Sequence, residues 1–201
     1  KVGDAGFVRY TEAIEIDQST AFEAYAEKNE KRSFIVKDVD YKKIKGGRSI
    51  EINTEYANEY SAGGDQGLID LLRGSDNFRT GQWQGYWGKN LDATVDLGEV
   101  ENISKITVGS LQDIKSWIFY PKQVSVSIST DGKSFTRVKT IENVFPDKEY
   151  GSFTQDFEFL FKRPVKAKYV KVEAENYGKI GKWHLGAGND AWLFVDEILI
   201  E

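Results

Sequence analysis

Residues 123–129 read Gln-Val-Ser-Val-Ser-Ile-Ser, apolar and polar positions alternating without a break. A period of two is the signature of a strand with one face buried. Asp131-Gly132 then supplies a hairpin turn into a second strand, Phe135–Val138. The same pattern predicts a strand at Ala167–Ala174, with Ala167, Tyr169 and Lys171 on one face and Lys168, Val170, Val172 and Ala174 on the other. Further strands are expected at Ile50–Ile52, Thr94–Leu97, Ser104–Val108, Phe153–Phe161 and Trp192–Ile200. The last sets Phe194 and Ile198 against Val195 and Leu199, interrupted by Asp196-Glu197. Upstream, Ala13–Ile16, Thr20–Ala26 and Ser33–Val36 alternate in the same way, too few strands for a comfortable independent unit. Lys42–Arg48, basic and broken by Gly46-Gly47, reads as a linker.

The chain is therefore predicted to be all-β: a small partial β domain over residues 1–46, then an eight-stranded jelly-roll-like β-sandwich over 47–201. Between the strands lie two long stretches of glycines, amides and aromatics, Gly63–Trp87 and Asn176–Asp190, and a shorter exposed-looking loop, Leu111–Tyr120. Loops on a stiff scaffold are where recognition usually sits.

Composition narrows the function. The 32 acids against 27 bases give a net charge of -5, and the bases are scattered, so no face is set up for nucleic acid. With no cysteine and a single histidine, His184, thiolate chemistry, disulfides and multi-histidine metal centres are excluded. No apolar run is long enough to span a membrane. A chain that begins Lys-Val-Gly-Asp and contains no methionine is expected to be a piece of a longer protein. No nucleophile elbow, phosphate loop or defined carboxylate pair is present, so the fragment is not expected to be an enzyme.

Two constellations carry candidate chemistry. Asp70 and Glu197 are acids inside apolar runs, Leu68–Leu72 and Leu193–Leu199. Burying a carboxylate is costly unless it is paired, and one hard cation neutralises two. Calcium needs six to eight oxygens, and the Gly67, Arg73 and Asp196 carbonyls with the Ser75 hydroxyl are at hand. The plainer alternative is that Glu197 pairs with Arg73 or accepts backbone hydrogen bonds. The second constellation is the mixture of rings with amides and histidine in the loops: Gln82-Trp83-Gln84 with Tyr86-Trp87, Gln112-Asp113 with Trp117 and Phe119, and Trp183-His184 with Asn189-Asp190 and Trp192. Neutral sugars are bound by such sets, the C–H face on a ring and the hydroxyls on fixed polar groups. Against this, Trp83 and Trp192 could be core plugs and His184 a structural histidine.

Leu68-Ile-Asp70, Gly74-Ser75, Trp83, Val95–Gly98, Ile103–Val108, Pro121–Gly132, Ala167–Val172 and Asp196–Ile198 together resemble the F5/8 type C (discoidin) domains, and within them the family 32 carbohydrate-binding modules found beside bacterial glycosidases. Gly63–Trp87 with Trp183–Gly188 and Ala191–Phe194 looks like the carboxy-terminal module of Bacteroidetes family 20 β-N-acetylhexosaminidases. Arg9–Ile16 through Ser33-Phe34 resembles the later strands of a chitobiase-like domain whose tyrosine–aspartate–glycine segment is missing, which implies truncation. The resemblance implies a galactose-binding-like sandwich and a structural calcium on Asp70, Glu197 and carbonyls near Gly67, Arg73 and Asp196. It implies a sugar site drawn from Gln112, His184, Asn189 and Trp117 or Trp183, with Arg79 as its arginine. The function implied is a non-catalytic module that tethers a secreted, periplasmic or outer-membrane-associated glycosidase to glycans ending in galactose, N-acetylgalactosamine or N-acetylglucosamine. The alternative is a structural domain that packs on the catalytic domain or mediates dimerisation. Lipid binding, as in some discoidin relatives, would need an apolar spike, for which Trp117–Tyr120 beside Lys115 and Lys122 is the candidate.

Overall fold

The computed structural model describes residues 7–12, 20–29, 31–41 and 46–201. It divides into two compact units, Lys1–Lys45 and Gly46–Glu201. In the first, β1 (Thr20–Ala24) pairs antiparallel with β4 (Val36–Tyr41), and β2 (Glu27–Lys28) pairs with β3 (Lys31–Arg32). The predicted strand at Ala13–Ile16 lies outside the described residues. Ser33–Ile35, expected to extend a strand, does not: the Ser33 hydroxyl accepts the Ala26 N–H and donates to the Phe34 carbonyl. A side chain that satisfies nearby backbone groups competes with a strand ladder.

The second unit is built from seven strands: β5 (Ser49–Ile52), β6 (Gln84–Trp87), β7 (Leu91–Asp113), β8 (Gln123–Ser129), β9 (Thr136–Glu142), β10 (Ser152–Ala174) and β11 (Trp192–Ile200). Two of them, β7 and β10, run 23 residues each and serve both layers of a sandwich. The early part of β7, Leu91–Asp96, pairs with β5 and with Tyr169–Ala174 of β10, which continues to β8 and β9. The late part of β7 pairs with Ser152–Leu160 of β10 and with β11, which continues to β6. The bend between the halves of β7 contains Gly98, whose φ of 83° is open to glycine at no steric cost. Counting each long strand once gives seven where the pattern predicted eight.

The core lies between the layers. Val95, Val124, Val126, Val170 and Val172 from one meet Ile106, Val108, Phe157, Phe159 and Val195 from the other, all buried. Strict alternation assigns Ala167 and Val170 to opposite faces, yet both are fully buried. A register shift between Ala167 and Tyr169 supplies the extra residue that turns both inward. The first and last strands meet at one end of the sandwich: Arg48, just before β5, donates from Nη1 to the Ile200 carbonyl at 3.2 Å and pairs with Glu101 at 3.2 Å. Trp192, at the other end of β11, is about 25 Å away along an extended strand.

Candidate cation and ligand sites

The acids of β11 sit in a defect of its ladder. Pairing with β7 slips between Val195 and Ile198, so neither Asp196 nor Glu197 follows the in-out alternation, and both have 0% exposure. They are then treated differently. Asp196 Oδ2 accepts from Arg73 Nε at 2.8 Å and from the Gly74 N–H at 2.8 Å, and Arg73 reaches on to Asp156 at 2.5 Å. Gly109 lies beneath this pair, where an added Cβ would stand 2.0 Å from Asp196 Oδ1. Glu197 has no such cation. Its Oε2 accepts the Leu71 N–H at 2.7 Å, and its Oε1 is buried without a hydrogen-bond partner. Burial pushes the Glu197 carboxyl up to about 8; the Leu71 N–H opposes the rise, and the charges of Asp70 and Asp196 add to it.

The loop facing Glu197 is shaped to wrap it. Leu71 adopts φ 69°, unusual for a residue with a branched side chain, and this turns its N–H onto the carboxylate. Asp70 Oδ1 holds the next N–H, that of Leu72, at 2.8 Å. Gly67 closes the preceding 3-10 turn so tightly that a Cβ would lie 1.8 Å from the Ala62 carbonyl oxygen. Among the described residues no three histidine, cysteine or acidic side chains gather as a metal-holding group. A cation on Asp70 and Glu197 must therefore take its remaining oxygens from backbone carbonyls or water, as hard cations do. A buried, unpartnered carboxylate oxygen beside a second acid fits such an ion.

The second site is an open cleft of about 460 Å³ lined by Ala57, Glu59, Trp87, Trp117 and Trp192. Trp87 and Trp192 are directly opposite each other in the β6–β11 pair, their rings 4.9 Å apart and inclined by 58°. Trp117 comes from the turn after β7 and stacks on Trp87, with centroids 6.0 Å apart and planes 25° from parallel. Its backbone is left-handed (φ 64°), closing the short 3-10 turn Ile114–Ser116 through its N–H to the Ile114 carbonyl. Its indole lies on Gly186, where a Cβ would come within 2.7 Å of the ring. Tyr60 ties the cleft to the core, packing edge-on against Trp192 and Phe78 and tilted against Phe194.

Residues 49–188 match the family model described as F5/8 type C domain. The chain belongs to the F5/8 type C domain family. Solved structures with the same fold include a fucolectin from striped bass (Morone saxatilis) serum, 18% identical over 77% of this chain and 46% of that one, with a TM-score of 0.51. The family 32 carbohydrate-binding module of Clostridium perfringens NanJ, solved in complex with galactose, is 13% identical over 77% of this chain and 93% of its own, with a TM-score of 0.47. The C-terminal domain of a Bacteroides fragilis chitobiase is 16% identical over 79% and 95%, with a TM-score of 0.48. No curated protein matches the chain.

Of the sugar-site residues expected from the sequence, only Trp117 lines the cleft of this F5/8 type C domain. Gln112 is buried, donates from its amide to the Pro146 carbonyl at 3.0 Å and does not line the cleft. His184 is buried too, wedged against Phe119 and Trp183, with Nδ1 accepting the Gly186 N–H at 2.9 Å. Through that bond it shapes the loop on which Trp117 rests. Trp183 is half-buried, edge-on to Phe119, with the Lys148 ammonium 5.7 Å from its ring centre. Asn189 is exposed but turns its amide to the Gly186 carbonyl, and Arg79 lays its guanidinium over Phe78.

Of the expected cation ligands, Asp70 acts on Glu197 through its charge, while Asp196 gives Oδ2 to Arg73 and, like Glu197 with its Oε1, keeps a second oxygen, Oδ1, buried without a partner. Arg73 therefore pairs with Asp196 and Asp156, not with Glu197. The Ser75 hydroxyl accepts the Asn77 N–H at 3.2 Å and its carbonyl accepts Trp83 Nε1 at 3.0 Å, so Ser75 serves the loop's own turn. The apolar spike does not exist: Ile118, Phe119 and Tyr120 are all buried.

Proposed function

We propose that this F5/8 type C domain is a non-catalytic carbohydrate-binding module and that its sugar site is the tryptophan cleft. One observation carries the reading: three indoles from separate segments converge on a water-facing hollow. Trp87, 36% exposed, offers ring surface to a pyranose, with Trp117 stacked against it and Trp192 as a wall. The parent protein in this reading is a secreted or periplasmic glycoside hydrolase, a β-N-acetylhexosaminidase by the resemblance of the two long loops, and the module holds it near glycans with terminal galactose or N-acetylhexosamine. Residues 1–46, in the same reading, are the remainder of a chitobiase-like domain.

We also assign a structural calcium to Asp70 and Glu197, with carbonyls at Gly67, Arg73 and Asp196. Bound there, the ion supplies the positive charge that the two acids lack. The chain's own part is to hold Glu197 in place through Leu71 and to keep Arg73 occupied with Asp196.

Titrating galactose, N-acetylgalactosamine and N-acetylglucosamine against the tryptophan fluorescence and amide NMR signals tests the sugar site. A saturable response with a dissociation constant in the micromolar to millimolar range is expected, since a monosaccharide buries little surface. Trp117→Ala should abolish it while leaving the thermal transition almost unchanged. A second reading, docking on a catalytic domain, draws on Leu185, fully exposed on the loop that supports Trp117. Silence towards every sugar, with the indoles buried in the longer protein, would favour it.

A further inference from the structure

The cleft has one charged wall. Glu59 lines it, while every other lining residue is alanine or tryptophan. The carboxylate is exposed, and among the described residues no lysine or arginine is paired with it. The bases on neighbouring segments are engaged or turned elsewhere: Lys89 pairs with Glu55, Lys179 pairs with Asp190, and Lys115, two residues before Trp117, does not line the cleft. The backbone that carries Glu59 is anchored: the 3-10 turn Asn58–Tyr60 is fastened at one end by the Ala57 N–H to the Gly85 carbonyl (2.8 Å) and at the other by Tyr60 in its nest of rings, while the Glu59 side chain is exposed. An unpaired acid beside three indoles is an arrangement suited to a cation, since ring faces and a carboxylate both attract positive charge.

Resting on the sugar-binding reading, we propose that the cleft selects hexosamines whose amine is not acetylated. The pyranose C–H face lies on the exposed ring surface of Trp87, and the ammonium turns to Glu59. An N-acetylated or neutral sugar leaves Glu59 without a charged partner, and an acidic sugar meets like charge with no base to answer it. Preference for the free amine should be about fivefold to tenfold, the scale of an exposed ion pair reinforced by a ring face.

The test is calorimetric titration of the whole chain at pH 6, where the amine carries its proton, with glucosamine, N-acetylglucosamine, glucose and glucuronic acid. The wild type, Glu59→Gln and Trp117→Ala are compared. Glucosamine should bind about fivefold to tenfold more tightly than glucose or N-acetylglucosamine, and glucuronic acid least. Glu59→Gln should erase that advantage while glucose binding persists, and raising the salt concentration should shrink it. If N-acetylglucosamine binds as tightly as glucosamine and Trp117→Ala still abolishes both, charge selection is overturned while the sugar site stands. If no sugar binds the wild type, both readings fall together. Choline, a cation without a pyranose face, should bind more weakly than glucosamine; equal affinity would make the cleft a cation cage and overturn the proposal.

Discussion

Glu197→Gln replaces a buried carboxylate with a neutral group of the same shape, and its effect should depend on both pH and calcium. With the folded-state pKa pushed up to about 8 from an ordinary 4.5, the side chain stays protonated in the folded protein at pH values where the unfolded chain ionises. Below about pH 4.5 both states hold the proton and no penalty exists. Between 4.5 and 8 the folded state binds the extra proton, so stability without calcium falls as pH rises, by at most ~1.4 kcal/mol per pH unit. The full loss at pH 8 is on the order of 5 kcal/mol, and for a unit of this size a loss of that scale lowers the melting temperature by about 10 °C or more. Calcium should cancel it, because binding requires the ionised carboxylate and releases the proton. Thermal melts in chelator and in millimolar calcium, at pH 5 and pH 8, read the four cases. In chelator at pH 8, Glu197→Gln should melt higher than the wild type, at pH 5 the two should nearly coincide, and calcium should raise the wild type alone. A variant less stable than the wild type in chelator at pH 8, or one that gains as much from calcium, would refute the reasoning.

Three further outcomes follow from neighbouring contacts. Gly186→Ala brings a Cβ to within 2.7 Å of the Trp117 indole, so it should tilt that ring and weaken sugar binding at least tenfold in a titration, with a small change in melting temperature. Gly109→Ala drives a Cβ to 2.0 Å from Asp196 Oδ1 and 2.5 Å from the Arg73 guanidinium; it should cost several kcal/mol in urea unfolding. Arg73→Gln leaves Asp196 buried without its cation and should cost ~3–5 kcal/mol, whereas Lys89→Gln, which breaks an exposed pair, should cost less than ~1 kcal/mol in the same assay.

The sandwich was legible because its strands alternate and its turns announce themselves. Asp131 does what its place before a glycine suggests, holding the N–H groups of Lys133 and Ser134 at 2.9 Å. The nearness of Asp70 to Glu197 was suggested by two acids set in apolar runs, though the two charges oppose one another and Glu197 Oε1 is left without a protein partner. What could not be read was register. Trp87 and Trp192 become neighbours only through the β6–β11 ladder, and nothing within 104 residues of intervening chain signals it. Register also decided the fate of Gln112 and of Ile118–Tyr120. Gln112 lies at the end of a strand already committed to the core and Ile118–Tyr120 follow it closely, so their polarity or apolarity alone did not reveal which way they face. His184 looks the same in sequence whether it serves a ligand or fastens a turn; the structure adds the Gly186 N–H on its Nδ1, a contact that involves the register of the loop and not the identity of the residue.

The bridge from Arg48 to Ile200 has a bearing on how the domain can be used. Because it brings the incoming and outgoing chain side by side at the foot of the sandwich, with the three indoles at the crown, the domain behaves like a lamp on a single stem. With Arg48 and Ile200 fastened at the foot, neither end of this unit's sheet runs past the tryptophans at the crown.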